Sequence, residues 1–199
     1  MFEVISLSKS KPRSIILLHG LFTGPGFWLP YLKYFSNYNV ILIDINYSLV
    51  TSIGEFLPDF KLKIESISQS KDIVAIISHS LGTCLSSLLG ENFSKFNINI
   101  CPIYLAERQN TEQFVEFIST NDASYSSDEV FKILGEVGDF IHQKALRVEA
   151  MTFRSTHLLV PDQDPFFSYK IESRDSLTYA GDHFDINDAL LKIKVNGYI

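Results

Sequence analysis

Five apolar runs of strand length recur along the chain, and stretches with helical spacing separate them. The runs are Ser14–Leu18, Val40–Ile45, Ile73–Ile77, Ile98–Leu105 and His157–Val160. Near-continuous Ile, Val and Leu favour parallel strands that are covered on both faces. Phe2–Leu7 alternates between apolar and polar residues, as an edge strand does, and Ser176–Ala180 is a weaker final candidate.

The stretches between these runs place apolar residues three or four positions apart, which is typical of amphipathic helices. The candidate helices are Phe27–Phe35, Ile53–Ile67, Leu81–Leu89 and Ile186–Val195. Strands that alternate with helices predict an α/β fold, in which a mostly parallel, open sheet is flanked by helices and joined by right-handed crossovers.

The segment from about Glu107 to Arg154 interrupts this alternation. It contains no good strand run, only the helical patterns Thr111–Ile118, Asp128–Leu134 and Val137–Ala150. A single crossover does not need so many helical residues. We therefore expect a small helical cap, about residues 107–154, inserted over the strand ends. Because no linker composition surrounds this segment, residues 1–199 are predicted to form one domain.

Charge is distributed unevenly along the 199 residues, whose formal net charge is −6. Residues 1–105 carry eight Lys and Arg against seven Asp and Glu, whereas residues 106–199 carry nine against sixteen. No basic stripe is available to follow a phosphate backbone, which argues against nucleic acid as a partner.

Two cysteines, Cys84 and Cys101, lie in apolar stretches without a His or Cys at metal-ligand spacing. This pattern predicts buried thiols in a reducing compartment and no metal site. The polar N-terminal stretch lacks the apolar segment of a signal peptide, and no run approaches the roughly 20 apolar residues of a membrane-spanning helix. We therefore expect a cytoplasmic protein with no membrane span.

The strongest local signal is the sequence Ser78-His79-Ser80-Leu81-Gly82, between the run Ile73–Ile77 and the candidate helix Leu81–Leu89. A serine flanked two residues away by small residues, at a strand-to-helix turn, is typical of a nucleophile elbow. An N-cap serine is the simpler interpretation of the bare pattern. The strand-helix context favours Ser80 as a nucleophile.

A second signal, His19-Gly20-Leu21-Phe22, follows the first buried run and precedes a loop rich in glycine. Acyl transfer needs two backbone N–H donors directed at the developing oxyanion. Leu81, which follows the nucleophile, and Leu21, which follows His-Gly, are predicted to supply them. A plain Gly/Pro turn is the alternative interpretation of this segment.

A general base for Ser80 must be a histidine on a loop that can reach the turn. Gly181-Asp182-His183-Phe184 follows the last strand candidate and supplies such a loop. The other four histidines are expected elsewhere. His19 belongs to the oxyanion turn, and His79 points away from Ser80 in an elbow. His142 lies in a candidate helix with charged neighbours, and His157 begins a strand at the end opposite the site. His183 is therefore predicted to be the base.

The third member of a triad is a carboxylate that orients the histidine. Pro161-Asp162-Gln163-Asp164-Pro165 follows the strand candidate His157–Val160, and the order serine, aspartate, histidine is that of α/β hydrolases. Asp164 is preferred because Asp-Pro marks the point where the loop turns. Asp162 and Glu107 stay open as alternatives.

Over nearly its whole length the chain resembles the α/β-hydrolase fold. The stretch from His19 to Ile45 resembles its oxyanion strand, loop, first helix and next strand, and Ser78–Gly82 resembles its nucleophile elbow, with Ser78 where glycine is common. The segment Gly181–Phe184 resembles the histidine loop of thioesterases in polyketide and peptide synthetase systems. Those enzymes often carry the acid after the strand that follows the nucleophile helix. Glu107 has that position here.

The resemblance implies a serine hydrolase of acyl thioesters or esters that forms an acyl-enzyme and needs no metal or organic cofactor. The implied substrate is a small acyl molecule, free or bound to an acyl carrier protein. A small carboxylesterase, including the type that removes a methyl ester from a carrier-bound acid, would use the same residues. A cyclase with His183 as base, or a binding module on the same fold, is the non-hydrolytic alternative.

Two aromatic residues near the oxyanion loop, Phe22 and Trp28, are expected to contact an apolar acyl group. The cap carries nine Asp and Glu against five Lys and Arg. This acidity favours neutral or apolar substrates, and it argues against docking of an acidic carrier protein through the cap.

Overall fold

A seven-stranded sheet lies at the centre of the computed structural model, in the order β1-β3-β2-β4-β5-β7-β9. The strands are β1 Phe2–Ser6, β2 Arg13–Leu18, β3 Asn39–Ile45, β4 Asp72–His79, β5 Phe96–Ile100, β7 Thr156–Pro161 and β9 Ser176–Tyr179. Two short strands, β6 Ala106–Glu107 and β8 Ser168–Tyr169, pair separately. The structure describes residues 1–7, 10–50, 53–89, 93–107, 110–121, 125–136, 156–169 and 176–199.

Strand β1 pairs antiparallel with β3, and the other strand pairs of the large sheet are parallel. This arrangement confirms the predicted α/β fold with a mostly parallel open sheet. The alternating pattern of Phe2–Leu7 fits its position at the sheet edge, where one face is only partly covered.

The helices are α1 Ile53–Ser70, α2 Leu81–Leu89, α3 Thr111–Asn121, α4 at residues 127–136, and α5 Asn187–Val195. Both sheet faces are covered. In β2, Ile16 and Leu18 pack into the same core cluster as α1 and α2, whereas Ile15 and Leu17 pack with α5 on the other face. Burial on both faces explains why the strands are apolar at nearly every position.

The predicted helix Phe27–Phe35 is a 3-10 helix that spans Pro25–Phe35. Pro30 lies inside it and has no N–H to donate to an α-helical hydrogen bond. The segment follows the tighter i to i+3 hydrogen-bond pattern instead of that of an α-helix.

The predicted strand Ile98–Leu105 is wrong at its carboxyl end, because β5 ends at Ile100. Cys101 adopts a left-handed φ of 52° and Pro102 has no N–H, so the ladder cannot continue. Residues Ile103–Leu105 form a 3-10 helix before β6. Cys101, not Glu107, is thus the residue that directly follows the strand after α2.

Two of the three helical patterns predicted in the cap correspond to α3 and α4. Phe114, Val115 and Ile118 of α3 pack into the core cluster on the α1 and α2 face. The third pattern, Val137–Ala150, lies outside the described residues, so the cap bounds 107–154 stay a prediction. Among the described helices, none combines the length and the apolar composition needed to cross a membrane.

Candidate active site

The turn at Ser80 joins β4, which ends at His79, to α2, which begins at Leu81. Ser80 has a left-handed φ of 51°, a conformation that costs about 1–3 kcal/mol for a residue with a side chain. Hydrogen bonds hold it there: its N–H donates to the Ile100 carbonyl at 3.0 Å, and its carbonyl accepts from the Thr83 N–H at 3.0 Å. The predicted strand-to-helix elbow is therefore formed.

Two glycines allow the backbone to approach this turn closely. A Cβ on Gly82 would lie 2.6 Å from the His19 carbonyl oxygen and 3.0 Å from that of Leu18. A Cβ on Gly20 would lie 2.8 Å from the Ser80 Cβ. Helix α2 and the loop after β2 thus meet around Ser80, at separations that only glycine permits.

We expect Gly82→Ala to lower the free energy of unfolding by about 1–3 kcal/mol, because the new methyl group would meet backbone atoms that cannot move aside. The measurement is urea unfolding followed by circular dichroism. Gly135→Ala is the matched control, because Gly135 lies in α4 with no atom within 4 Å of an added Cβ. It should be neutral or stabilising by up to about 1 kcal/mol. Equal effects of the two substitutions would contradict the close approach.

Ser78, which stands where glycine is common in such elbows, is fully buried and hydrogen-bonded. Its Oγ lies 2.9 Å from the Ser86 Oγ and donates to the Asn99 Oδ1 at 2.6 Å. The Asn99 amide in turn donates to the Tyr104 hydroxyl at 3.0 Å. A serine is accommodated here because α2 and β5 supply polar partners that satisfy its hydroxyl.

His183 lies between Ser80 and Asp164. Its Nε2 is 2.9 Å from the Ser80 Oγ, and its Nδ1 is 2.8 Å from the Asp164 Oδ2. Because an ionised carboxylate only accepts, the hydrogen is assigned to Nδ1, which leaves Nε2 free to accept from the serine hydroxyl. The structure thus brings the three predicted residues into one chain of hydrogen bonds.

Asp164 is held as an acceptor by the loop that follows it. Its Oδ1 accepts from the N–H groups of Phe166 and Phe167 at 2.9 and 3.0 Å, and its Oδ2 accepts from the Tyr169 hydroxyl at 2.8 Å. Burial alone would raise its pKa, but the hydrogen bond and charge of His183 and these donors outweigh burial, so the pKa of Asp164 lies below its ordinary value.

Asp162 is exposed, and its Oδ1 accepts from the Gly181 N–H at 3.1 Å at the start of the histidine loop. Glu107 lies in β6, where its backbone pairs with Ser168, and its side chain lies outside what the structure describes. Among the carboxylates whose side chains the structure describes, Asp164 is the one that contacts the His183 Nδ1.

Aromatic rings surround His183, which is only 1% exposed. The rings of Phe114 from α3, Phe167 after the acid and the adjacent Phe184 have centroids 5.7, 5.3 and 5.1 Å from the imidazole. Within the loop, the Asp182 Oδ1 accepts from the Phe184 N–H at 2.7 Å. The imidazole therefore lies in an apolar pocket, where water competes little for its hydrogen bonds.

The loop after β2 has a defined peptide orientation. The Gly20 carbonyl accepts from the His19 Nδ1 at 2.7 Å and from the Thr23 hydroxyl at 3.1 Å, and the His19 Nε2 accepts from the Ile45 N–H at 2.9 Å. Burial lowers the pKa of His19, which keeps it in the neutral form that this pairing requires. In a trans peptide the N–H points away from the carbonyl, so the Leu21 N–H is directed away from His19 and Thr23.

The two aromatic residues predicted to contact substrate have different positions. Phe22 is half-buried, and its ring packs edge-on against Tyr125 with centroids 4.3 Å apart. Trp28 is 0% exposed and lies in the core cluster that also contains Tyr31 and Phe35. The 3-10 helix turns its indole into the core, and contact with substrate stays a prediction for both residues.

The two histidines that remain are His157 and His142. His157 lies near the start of β7, away from the carboxyl end that leads to Asp164, and stacks on Tyr198 at 3.7 Å. His142 lies outside the described residues.

Among the described residues, one group of His, Cys, Asp and Glu side chains is close enough to share a metal ion. It consists of Cys101, Asp164 and His183, whose ligand atoms lie within 4.8 Å of one another. Burial raises the pKa of the Cys101 thiol, which lies 3.1 Å from the Tyr179 hydroxyl. Within this group the Asp164 carboxylate and the His183 imidazole are hydrogen-bonded to each other.

Solved structures are similar to this chain over nearly its whole length. The type II thioesterase BorB from the borrelidin biosynthetic cluster has a TM-score of 0.62 and 16% identity, over 98% of this chain and 97% of its own. A lipase-esterase related protein from Clostridium acetobutylicum has a TM-score of 0.61 and 13% identity, over 100% of both chains. The thioesterase domain from the curacin biosynthetic pathway has a TM-score of 0.56 and 13% identity, over 98% and 94%.

The chain therefore has the α/β-hydrolase fold. No family model and no curated protein sequence matches it.

Proposed function

We propose that this protein is a serine hydrolase that cleaves acyl thioesters or esters through a covalent acyl-enzyme. The observation that carries the proposal is the hydrogen-bonded chain from the Ser80 Oγ through His183 to Asp164, at a left-handed strand-to-helix turn. A nucleophile, a base and an orienting acid in this arrangement are the parts that acyl transfer needs.

In the first half-reaction the Ser80 Oγ attacks the acyl carbonyl carbon, and the His183 Nε2 takes the hydroxyl proton. Asp164 stays ionised and stabilises the imidazolium through Nδ1. The carbonyl becomes an oxyanion that accepts hydrogen bonds from the Leu21 and Leu81 N–H groups. Leu81 is suited to this role because the first N–H groups of a helix have no acceptor within the helix.

Collapse of the tetrahedral intermediate expels the thiolate or alkoxide, which takes the proton from the His183 Nε2. Water then attacks the acyl-Ser80 carbonyl while the same nitrogen removes its proton. The serine leaves with that proton, and the acid product is released. Every proton transfer uses Nε2, which requires the other ring hydrogen to stay on Nδ1, where it is donated to the ionised Asp164 carboxylate.

The substrate proposed is an uncharged acyl group, whether free or delivered by an acyl carrier protein. Apolar rings surround His183, and Phe22 follows the oxyanion residue Leu21. Acidic side chains at Asp182 and Asp185 accompany these rings on the histidine loop, where an anionic acyl group would be repelled. Thioesters are included because BorB and the curacin domain are thioesterases.

The substrate test compares two p-nitrophenyl esters of equal chain length, a butyrate and a hemisuccinate, whose acyl groups differ by a terminal carboxylate. We expect kcat/KM to be about 10-fold or more higher for the neutral ester, because the acidic side chains disfavour the anion. The ratio should fall at 0.5 M salt, where the charges are screened. A preference for the hemisuccinate would contradict the proposed substrate class.

Thioesterase and oxygen esterase share this machinery, so a matched thioester and methyl ester of the same acyl group separate them. Turnover of the thioester alone would favour the thioesterase. Turnover of the methyl ester alone would favour the small carboxylesterase.

A further inference from the structure

His79, the residue directly before the proposed nucleophile, is fully buried. Its ring stacks on Phe27 of the 3-10 helix, with centroids 4.3 Å apart and planes at 20°, and lies edge-on to His183 at 5.2 Å. A Cβ on Gly20 would lie 3.3 Å from the His79 Nδ1, so the ring also borders the loop after β2. The imidazole is thus packed between the proposed base and the oxyanion loop.

The Nε2 of His79 lies 2.7 Å from the backbone carbonyl oxygen of His183. A carbonyl can only accept, so Nε2 carries the hydrogen and donates it. The Cys101 thiol also donates to this oxygen, at an Sγ to O distance of 3.7 Å, and is the weaker of the two donors. The next carbonyl of the loop, at Phe184, accepts from the Tyr31 hydroxyl at 3.0 Å. Two successive carbonyls at the proposed base are therefore held by side-chain donors.

Packing alone does not account for an imidazole at position 79. Its Nδ1 is buried and has no hydrogen-bond partner among the described residues, which is unfavourable for a polar atom. A phenyl ring would stack equally well on Phe27 and would bury no unpaired acceptor. The feature that an imidazole adds is the N–H donated to the His183 carbonyl. Burial and His183 lower the pKa of His79 to about 3, so the ring is neutral near neutral pH and carries its single hydrogen on Nε2.

We propose that His79 is a positioning residue, which fixes the backbone of His183 so that its Nε2 stays in line with the Ser80 Oγ. Because His79 precedes Ser80 in the chain, the same turn presents the nucleophile and holds the loop of its base. This inference rests on the proposed function, since its kinetic consequence requires His183 to be the base.

The test uses two substitutions at one position. His79→Phe keeps the stacking ring and removes the donor, whereas His79→Gln places an amide N–H near the position of Nε2. We expect His79→Phe to lower kcat by about 10- to 100-fold with KM nearly unchanged, because a small displacement of the base slows proton transfer. His79→Gln should recover most of kcat. Rates are expressed per site titrated with a fluorophosphonate, so unfolded protein does not contribute.

A second readout does not depend on turnover. The proton between the His183 Nδ1 and Asp164 should give a low-field resonance in the wild-type protein, which moves or broadens in His79→Phe and returns in His79→Gln. Wild-type kcat and an unmoved resonance in His79→Phe would overturn the inference, as would equal losses in both variants. A wild-type protein that neither hydrolyses esters nor reacts with the fluorophosphonate would instead overturn the proposed function, and the resonance would still test the link to His79.

Discussion

Ser80→Ala is expected to lower kcat for ester or thioester hydrolysis by about 10⁴-fold or more. The substitution removes the atom that would form the acyl-enzyme and leaves the oxyanion donors and the apolar rings in place. Residual activity would come from binding and from the Leu21 and Leu81 N–H groups. The measurement is steady-state kinetics on the p-nitrophenyl butyrate used above, with the purified variant at high concentration.

Ser68→Ala is the control for this substitution. Its Oγ donates to the Glu65 carbonyl within α1, so its removal should leave kcat unchanged. Circular dichroism should show that both variants are folded. If folded Ser80→Ala retained activity within about 10-fold of the wild type, Ser80 would not be the nucleophile.

Asp164→Asn is expected to lower kcat by about 10⁴-fold, with little change in KM. An asparagine amide can donate to the His183 Nδ1, which moves the imidazole hydrogen to Nε2. That nitrogen then cannot accept the Ser80 proton. Since Asp164 does not contact the acyl group in the proposed mechanism, substrate binding should be nearly unaffected. Kinetics with the same ester measure both parameters.

The corresponding change of a carboxylate to an amide at each alternative acid shows which of the three carboxylates acts with His183. Asp162→Asn should keep kcat within a few-fold, because the amide oxygen can still accept from the Gly181 N–H. Glu107→Gln should likewise have a small effect. A loss at either position larger than the loss at Asp164 would reassign the acid.

The fold was largely predictable because burial on both sheet faces leaves a simple pattern in the sequence. Runs such as Ile73–Ile77 have few polar interruptions, and they lie in β4 and its neighbours. The errors fall where one residue changes the backbone. Neither the left-handed φ of Cys101 nor the 3-10 geometry of the first helix can be inferred from hydrophobic periodicity.

The residues of the candidate site were selected from motifs, whereas their partners depend on tertiary contacts. Asp162 and Asp164 are both acidic residues on one loop, and the sequence could not determine which one faces His183. The position of Trp28 depends on the rotation of a 3-10 helix, which the sequence leaves open. The contact of His79 with His183 joins residues 104 positions apart, so no local pattern contains it.

The most direct test of the central claim is mapping of a covalent adduct. The folded wild-type protein is treated with a fluorophosphonate, digested and analysed by peptide mass spectrometry. We predict one adduct on the peptide that contains Ser80, and no adduct in Ser80→Ala. An unlabelled wild-type protein, or a label on any of its 22 other serines, would contradict the account.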